Sequence, residues 1–420
     1  MLPTKISVSM LLAASTVAAW TTPGSSLPQH RSSSSQLSAA GEPQDEDSSS
    51  LDRRDFFRSA TTKAASLSLL AGSLSASSFV DVANAANDAA AATTTTPYSK
   101  IYRPAPHSMD GKLVVITGGN TGLGLESSKR LAEAGATVVL TSRDDAKGRK
   151  ALDDIDAYLS TRRAEDATFV GRALTASLDL CDLANVKSFK DRLTKVVGKD
   201  AKVDVLLNNA GVMAIPDRKL TGDGYERTFQ TNHLGHFALT ATLLPLLSPR
   251  ARIINVSSMG YQFASKGLEL DNLNGEREYG PWSSYGLSKL ENILFANELQ
   301  RRARMSDAYA GITTYSLHPG AVQTDLARYL IGEEKFNSMK ENGFASWKDK
   351  VVMETLANFV KTVEEGASTQ VFVAASADPE AGKYFSDGKV TPVKAFAMDQ
   401  KKGEELWTVS EELAGVKFDL

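Results

Sequence analysis

The chain has little of what marks several classes of protein. Its 420 residues include one cysteine, Cys181, so no intramolecular disulfide forms. In Leu178-Asp179-Leu180-Cys181-Asp182 that cysteine reads as a small packing residue rather than a reactive thiol. The formal net charge is −3, which offers nucleic acid no basic field. No apolar run reaches the ~18 residues of a membrane helix, so no stable span is expected. No internal repeat is visible. Among the five histidines, His233 and His236 are close in sequence but have no third ligand at suitable spacing, so no metal is expected. Arg301, Arg302 and Arg304 close a predicted helix, where positive charge suits the dipole.

What is present is concentrated in one stretch, Lys112 to Gly124. Leu113 to Ile116 is too short for a helix and rich in β-branched residues, so it reads as a buried parallel strand. Gly118, Gly119, Gly122 and Gly124 follow, then helix-forming residues from Leu125 to Ala134. A strand, a glycine-rich turn and a helix N-terminus make a corner for phosphate. Glycine lets the backbone approach the anion, and the helix end supplies free N–H groups.

The pattern from near Ser108 to the end alternates strand and helix. Strands are predicted at Leu113–Thr117, Thr137–Ser142, Ala173–Leu178, Val203–Asn208, Arg252–Ser257 and Thr313–Leu317, with a short one near Gly382–Phe385. Alternation of this kind predicts an α/β domain, a parallel sheet with helices on both faces.

The spacing Thr-Gly-x-x-x-Gly-x-Gly at Thr117 to Gly124 resembles that of the short-chain dehydrogenase/reductase family. Four further segments match in order: Asn208-Asn209-Ala210-Gly211, Asn232 in Thr231-Asn232-His233, Ser257-Ser258, and Tyr285-x-x-x-Lys289. The resemblance covers about Lys112 to Leu420. It implies one Rossmann-type doubly wound domain, residues 108–420, with a seven-stranded parallel sheet ordered 3-2-1-4-5-6-7. Thr231 to Phe237, Tyr285 to Leu290, Leu317 to Gly320 and Gly382 to Asp387 resemble its retinol dehydrogenase-like branch. So does the gap of 27 positions between Ser258 and Tyr285.

The resemblance implies a dinucleotide held by Gly118, Asn120, Gly122, Leu123 and Gly124. It places Asp179 at the adenine, and Asn209, Ala210 and Gly211 along the adenine ribose. Pro319, Gly320 and Thr324 follow the sixth strand and reach the nicotinamide. Enzymes that prefer NAD usually carry an acid at the end of the second strand. Here that strand ends in Ser142-Arg143, and an arginine can fork onto a 2′-phosphate, so NADP(H) is the expected cofactor. Asp144 and Asp145, one step further, weigh slightly the other way.

Tyr285 and Lys289 are spaced to share one face of a predicted helix, Ser283 to Arg304. An ammonium beside a phenol favours phenolate, and such a tyrosine can give or take a carbonyl proton. Lys289 is expected on the nicotinamide ribose as well. By resemblance Ser258 holds the substrate oxygen, and Asn232 anchors a water linked to Lys289. These four form the expected catalytic set.

Residues 326–360 stand where the family has a substrate lid. Their apolar content points to a bulky apolar group on a small-molecule carbonyl substrate, or to a lid packed on itself or on a second copy in a homodimer. Two other functions stay open: a tetrapyrrole reductase, and a non-catalytic NADP(H)-binding redox sensor.

Residues 1–100 read as addresses rather than fold. Ile6 to Ala19 has the build of a signal peptide. Its junction before Trp20, with a Ser-rich stretch to Ala40, resembles plastid presequences of algae with secondary plastids. Arg53-Arg54 resembles a twin-arginine motif, and Ala83-Asn84-Ala85 offers a cleavage site. In series these predict a plastid protein of the thylakoid lumen, with the stroma as the alternative. N-terminal sequencing of the mature chain decides between them.

Overall fold

Strand β1, Leu113–Ile116, lies inside the sheet with all four residues buried. Successive side chains of a strand point to opposite faces. Accordingly Leu113 and Val115 join one core and Val114 and Ile116 the other. A strand apolar on both faces needs a helical layer on each, and the chain supplies both. The computed structural model describes residues 101–320, Val322 and residues 361–420. The chain divides after Thr94, and every described residue belongs to the unit that follows.

In order, the elements after β1 are α1 (Gly122–Glu133), β2 (Thr137–Ser142), α2 (Asp145–Glu165), β3 (Arg172–Ser177), α3 (Leu183–Lys187), α4 (Phe189–Val197) and β4 (Val203–Asn208). A short α5 (Arg227–Phe229) runs through a π turn, Gln230–Leu234, into α6 (Gly235–Leu243). Then come β5 (Leu247–Val256), α7 (Pro281–Met305), β6 (Thr313–His318), α8 (Val363–Ala375), β7 (Tyr384–Ser386), β8 (Lys389–Val390) and α9 (Gln400–Ala414).

The sheet order is β3-β2-β1-β4-β5-β6-β7-β8. Its first seven strands pair in parallel, in the predicted order. The eighth corrects the expected seven-stranded parallel sheet: β8 pairs antiparallel with β7. The loop between them is Asp387-Gly388, both left-handed at φ 53° and 67°. Two such residues are the signature of a tight hairpin, but a two-residue strand carries too little periodicity to read. Strand β5 also starts earlier than predicted, at Leu247, which pairs with Val203. Ser248-Pro249-Arg250 inside it reads as a turn, because proline cannot donate to a ladder.

Leu131, Ile155, Leu159 and Val371 cover one face of the sheet. Phe189, Leu193, Phe237, Leu290 and Ile293 cover the other. Each such side chain contributes about 1.5–3 kcal/mol by leaving water. Helix α9 closes the second layer. Trp407 packs on Phe237 at 5.2 Å and on Phe418 at 4.4 Å between ring centroids. The two layers hold the C-terminal ends of β1, β4, β5 and β6 in line, the edge at which open α/β sheets bind ligands. The expected lid and the expected address segments lie outside the described residues.

The lead-in to β1 is fastened at the surface by His107. Its Nδ1 is 2.8 Å from Asp110 Oδ2 and its Nε2 2.8 Å from Asp166 Oδ2. Carboxylates only accept, so the ring serves both as an imidazolium. The bond to Asp110, then that to Asp166, raises the His107 pKa. Asp166 is held down to about 2, first by Thr168 and then by His107. A raised folded value gives stability that is full below pH ~6.5 and is lost as pH rises through that value. His107→Gln is therefore expected to lower Tm at pH 5.5 and to change it little at pH 9. Equal losses at both pH values would exclude the imidazolium.

Candidate active site

The glycine corner follows β1 directly. Gly118 and Gly122 are left-handed, at φ 62° and 53°. Gly124 is demanded by packing: a Cβ there would lie 2.3 Å from Gly118 O and 2.7 Å from Asn209 Nδ2. Around Gly122 there is open space, with nothing within 4 Å of an added Cβ. Helix α1 begins at Gly122, and its N-cap Thr121 makes no side-chain cap. The first-turn N–H groups thus face an open cradle, which fits a pyrophosphate at a helix N-terminus. Asn120 and Leu123 are partly exposed beside it.

Asn209 and Ala210, just past β4, are held to the corner by Thr117. Its hydroxyl accepts from Asn209 N and Ala210 N, each at 2.9 Å, and Asn209 Nδ2 donates to Thr117 O at 2.8 Å. The same hydroxyl lies 2.8 Å from His236 Nε2, while His236 Nδ1 is 3.0 Å from Asn232 O. A carbonyl can only accept, so Nδ1 carries the proton. Burial lowers the His236 pKa to about 4 and keeps the ring neutral, so Nε2 accepts from Thr117. One ring therefore joins the end of β1 to the π turn that carries Asn232. Both histidines once weighed as metal ligands have such structural partners, since His233 Nε2 is 2.9 Å from Ser410 Oγ.

Asn232 sits in the π turn, a widening common at functional sites. Its Oδ1 accepts from Val212 N at 2.8 Å, and its Nδ2 donates to Val212 O and to Ser288 Oγ, each at 2.9 Å. Ser288 Oγ in turn donates to Tyr285 O at 2.7 Å. The Asn232 side chain thus braces the loop after β4 against α7. Ser288 escaped the sequence reading. It lies three residues after Tyr285, on the neighbouring helix row, and only the fold puts Asn232 opposite it.

Lys289 is buried, and its Nζ donates to Val256 O at 2.9 Å and lies 5.6 Å from the centre of the Tyr285 ring. A Cβ on Gly211 would come within 3.2 Å of Asn232 Oδ1 and 3.4 Å of Lys289 Nζ. The missing side chain lets three elements meet there. Gly260 does the same beside Ser258: its Cβ would lie 2.9 Å from Tyr285 Cε1 and 3.3 Å from Ser258 Oγ. Ser258 Oγ accepts from Gly260 N at 3.0 Å, which fixes the hydroxyl at the start of the turn Met259–Phe263. The structure therefore brings Ser258, Tyr285, Lys289 and Asn232 together with Gly118, Asn209, Ala210 and Gly211.

Arg143 and Asp179 stand further along the same edge, after β2 and β3. Arg143 is exposed. Its neighbour Asp144 caps α2, accepting from Ala146 N and Lys147 N. Asp179 Oδ1 accepts from Cys181 N at 2.9 Å. Pro319 and Gly320 follow β6, where Gly320 N donates to His318 Nδ1 at 2.8 Å and φ is 95°. Thr324 lies outside the described residues.

A family model described as short chain dehydrogenase matches residues 112–335. Mouse retinol dehydrogenase 12 is 36% identical over 315 residues, covering 74% of this chain and 88% of its own. Human retinol dehydrogenase 11 is 37% identical over 315 residues with the same coverage, 74% and 88%. A crystal structure of an uncharacterised protein from Mycobacterium paratuberculosis superposes with a TM-score of 0.54 at 31% identity, covering 76% of this chain and 100% of that one.

Thr117→Val keeps the shape but removes the hydroxyl. The Ala210 N–H and His236 Nε2 then lose their partner, at a cost of about 2 kcal/mol or more. Thr117→Ser should stay within ~1 kcal/mol of wild type. Urea unfolding checks both, and equal stabilities for the two variants would exclude the hydroxyl as the link.

Proposed function

Because the chain belongs to the short-chain dehydrogenase family and is retinol dehydrogenase-like, we propose that it uses NADP(H) to interconvert an apolar aldehyde or ketone and its alcohol. At the coarser level it is an oxidoreductase of alcohols and carbonyls. The observation that carries the reading is the meeting of Ser258 and Tyr285 at Gly260, and of Lys289 and Asn232 at Gly211.

A nicotinamide dinucleotide, when bound, supplies hydride in reduction and accepts it in oxidation. The cradle from Gly118 to Gly124 suits its pyrophosphate, and Asn209 to Gly211 line the path between the cradle and Lys289. In reduction Tyr285 Oη gives a proton to the carbonyl oxygen as the carbon is reduced, and in oxidation it takes one from the alcohol. Ser258 Oγ, already fixed by Gly260 N, holds that same oxygen. The Lys289 ammonium lies over the Tyr285 ring, 5.6 Å from its centre, and a positive charge so close favours the phenolate. Asn232 holds the loop at Val212 so that Gly211 stays open toward Lys289.

Two features support NADP(H). Arg143 is exposed at the end of β2, where a 2′-phosphate would lie. Asp144, the nearest acid, already accepts from two helix N–H groups, and its pKa is lowered first by Lys147 N. A carboxylate so engaged is poorly placed to receive ribose hydroxyls. The apolar substrate class rests on the relatives, which are named for retinol.

Tyr285→Phe is expected to lower kcat at least 100-fold with NADPH affinity within about threefold of wild type. Fluorescence titration with steady-state kinetics separates the two, and a rate above a tenth of wild type would remove Tyr285 as the acid. Arg143→Asp should weaken NADPH at least tenfold more than NADH, through repulsion of the 2′-phosphate. An unchanged cofactor ratio in the same titrations would refute the NADP(H) assignment.

A further inference from the structure

Gln370 is fully buried in the middle of α8, and its side chain takes no part in the chemistry above. Its Nε2 donates to Ser127 Oγ at 2.7 Å, to Leu123 O at 3.2 Å and to Asn209 Oδ1 at 3.3 Å. Leu123 and Ser127 belong to the first turns of α1, and Asn209 lies just past β4. One amide from a third element therefore bonds both to the helix that opens at the glycine cradle and to the loop beside it.

The surroundings fix which way this amide points. Ser127 Oγ already donates to Leu123 O at 2.8 Å, and Asn209 Nδ2 donates to Thr117 O at 2.8 Å. All three atoms around Gln370 are thus left to accept, and only an amide nitrogen satisfies them. The Gln370 Oε1 is buried and has no partner among the described residues. An oxygen left so is costly, which makes the donor the useful end of the side chain. Packing brings α8 to this place. Gly366 lies one turn before Gln370 on the same face, and a Cβ on it would come within 2.9 Å of Leu123 Cδ2 and 2.7 Å of Val322 Cγ2. Arg130 joins α1 to α8 independently, donating from Nη1 to Ser368 Oγ at 3.0 Å and from Nη2 to Glu364 O at 2.7 Å. With the two helices already fastened there, what Gln370 adds is a tie between Leu123 and Asn209.

We propose that Gln370 is a positioning residue for the dinucleotide: it holds the first turn of α1 and Asn209 at one fixed separation, so that the pyrophosphate meets a preformed cradle. The inference rests on the dinucleotide reading above and adds a residue, outside the glycine corner and the catalytic set, on which that binding depends. A helix N-terminus holds an anion through several N–H groups at once, and these must converge. Fixing them beforehand removes an ordering cost that the cofactor would otherwise meet. The effect falls on affinity and leaves the transfer step at Ser258, Tyr285 and Lys289 alone.

The test is fluorescence titration of the full-length protein with NADPH and with NADH, beside kinetics on nonanal, in wild type, Gln370→Met, Ser127→Ala and Ser368→Ala. Gln370→Met keeps the length and loses the N–H groups. It should weaken the dinucleotide that wild type binds about 10-fold, with kcat at saturating cofactor within about twofold. Ser127→Ala removes the partner at 2.7 Å and should weaken it about threefold, which decides the matter should the methionine variant not fold. Ser368→Ala loosens the same helices at Arg130 and should leave affinity within about twofold of wild type. Equal weakening in the Gln370 and Ser368 variants would mean that helix packing in general is at work and would overturn the proposal. Unchanged affinity in Gln370→Met and Ser127→Ala would overturn it too, as would a loss of kcat with affinity intact. A wild-type protein that binds neither dinucleotide would overturn the cofactor reading itself. Binding by wild type that is indifferent to Gln370 would overturn this inference alone.

Discussion

The site depends on one buried imidazole kept neutral. His236 donates to the Asn232 carbonyl and accepts from the Thr117 hydroxyl, which itself accepts from the backbone beyond β4. A charged ring could not serve this way, because both of its nitrogens would donate and the hydroxyl would have to turn away from Asn209 and Ala210. Burial decides the matter by removing the water that would stabilise the cation. The glycine cradle, the loop lining the path to Lys289 and the π turn are thereby referred to a common point. A rigid reference suits a reaction in which the geometry of several groups must hold together.

Much of this architecture was legible. β1 announced itself through Leu113-Val114-Val115-Ile116, a strand apolar on both faces, and the alternation of strands and helices implied the layers around it. The order of the parallel strands followed from resemblance. Tyr285 and Lys289 were readable because a helix places such positions on one row, and the helix is there, Pro281–Met305. Gly118, Gly122 and Gly124 were readable because their spacing reflects backbone geometry.

What escaped notice depends on contacts between distant segments. The π turn looks like any helix in sequence, since its extra width lies in a hydrogen-bond register and not in composition. The sequence spoke against a metal at His236 but not for any other role, and only its packing beside β1 shows its two partners. Ser288 and Asn232 meet across 56 positions, which no local pattern encodes. The hairpin at Asp387-Gly388 had its turn chemistry in plain view, but its second strand was too short to carry a period.

The buried histidines also govern how the molecule responds to acid. Burial holds His233 at about 3, and His236 and His318 at about 4. Unfolding returns all three to water, where each titrates near 6.5. Between those values the unfolded chain binds protons that the folded chain refuses, so unfolding takes up protons. Each group tilts the balance by up to ~1.4 kcal/mol per pH unit toward the open chain as the medium acidifies. The ring that gives the site its rigidity at neutral pH is therefore also a route by which protons dismantle it, and the working range of this fold is bounded on the acid side by its own interior.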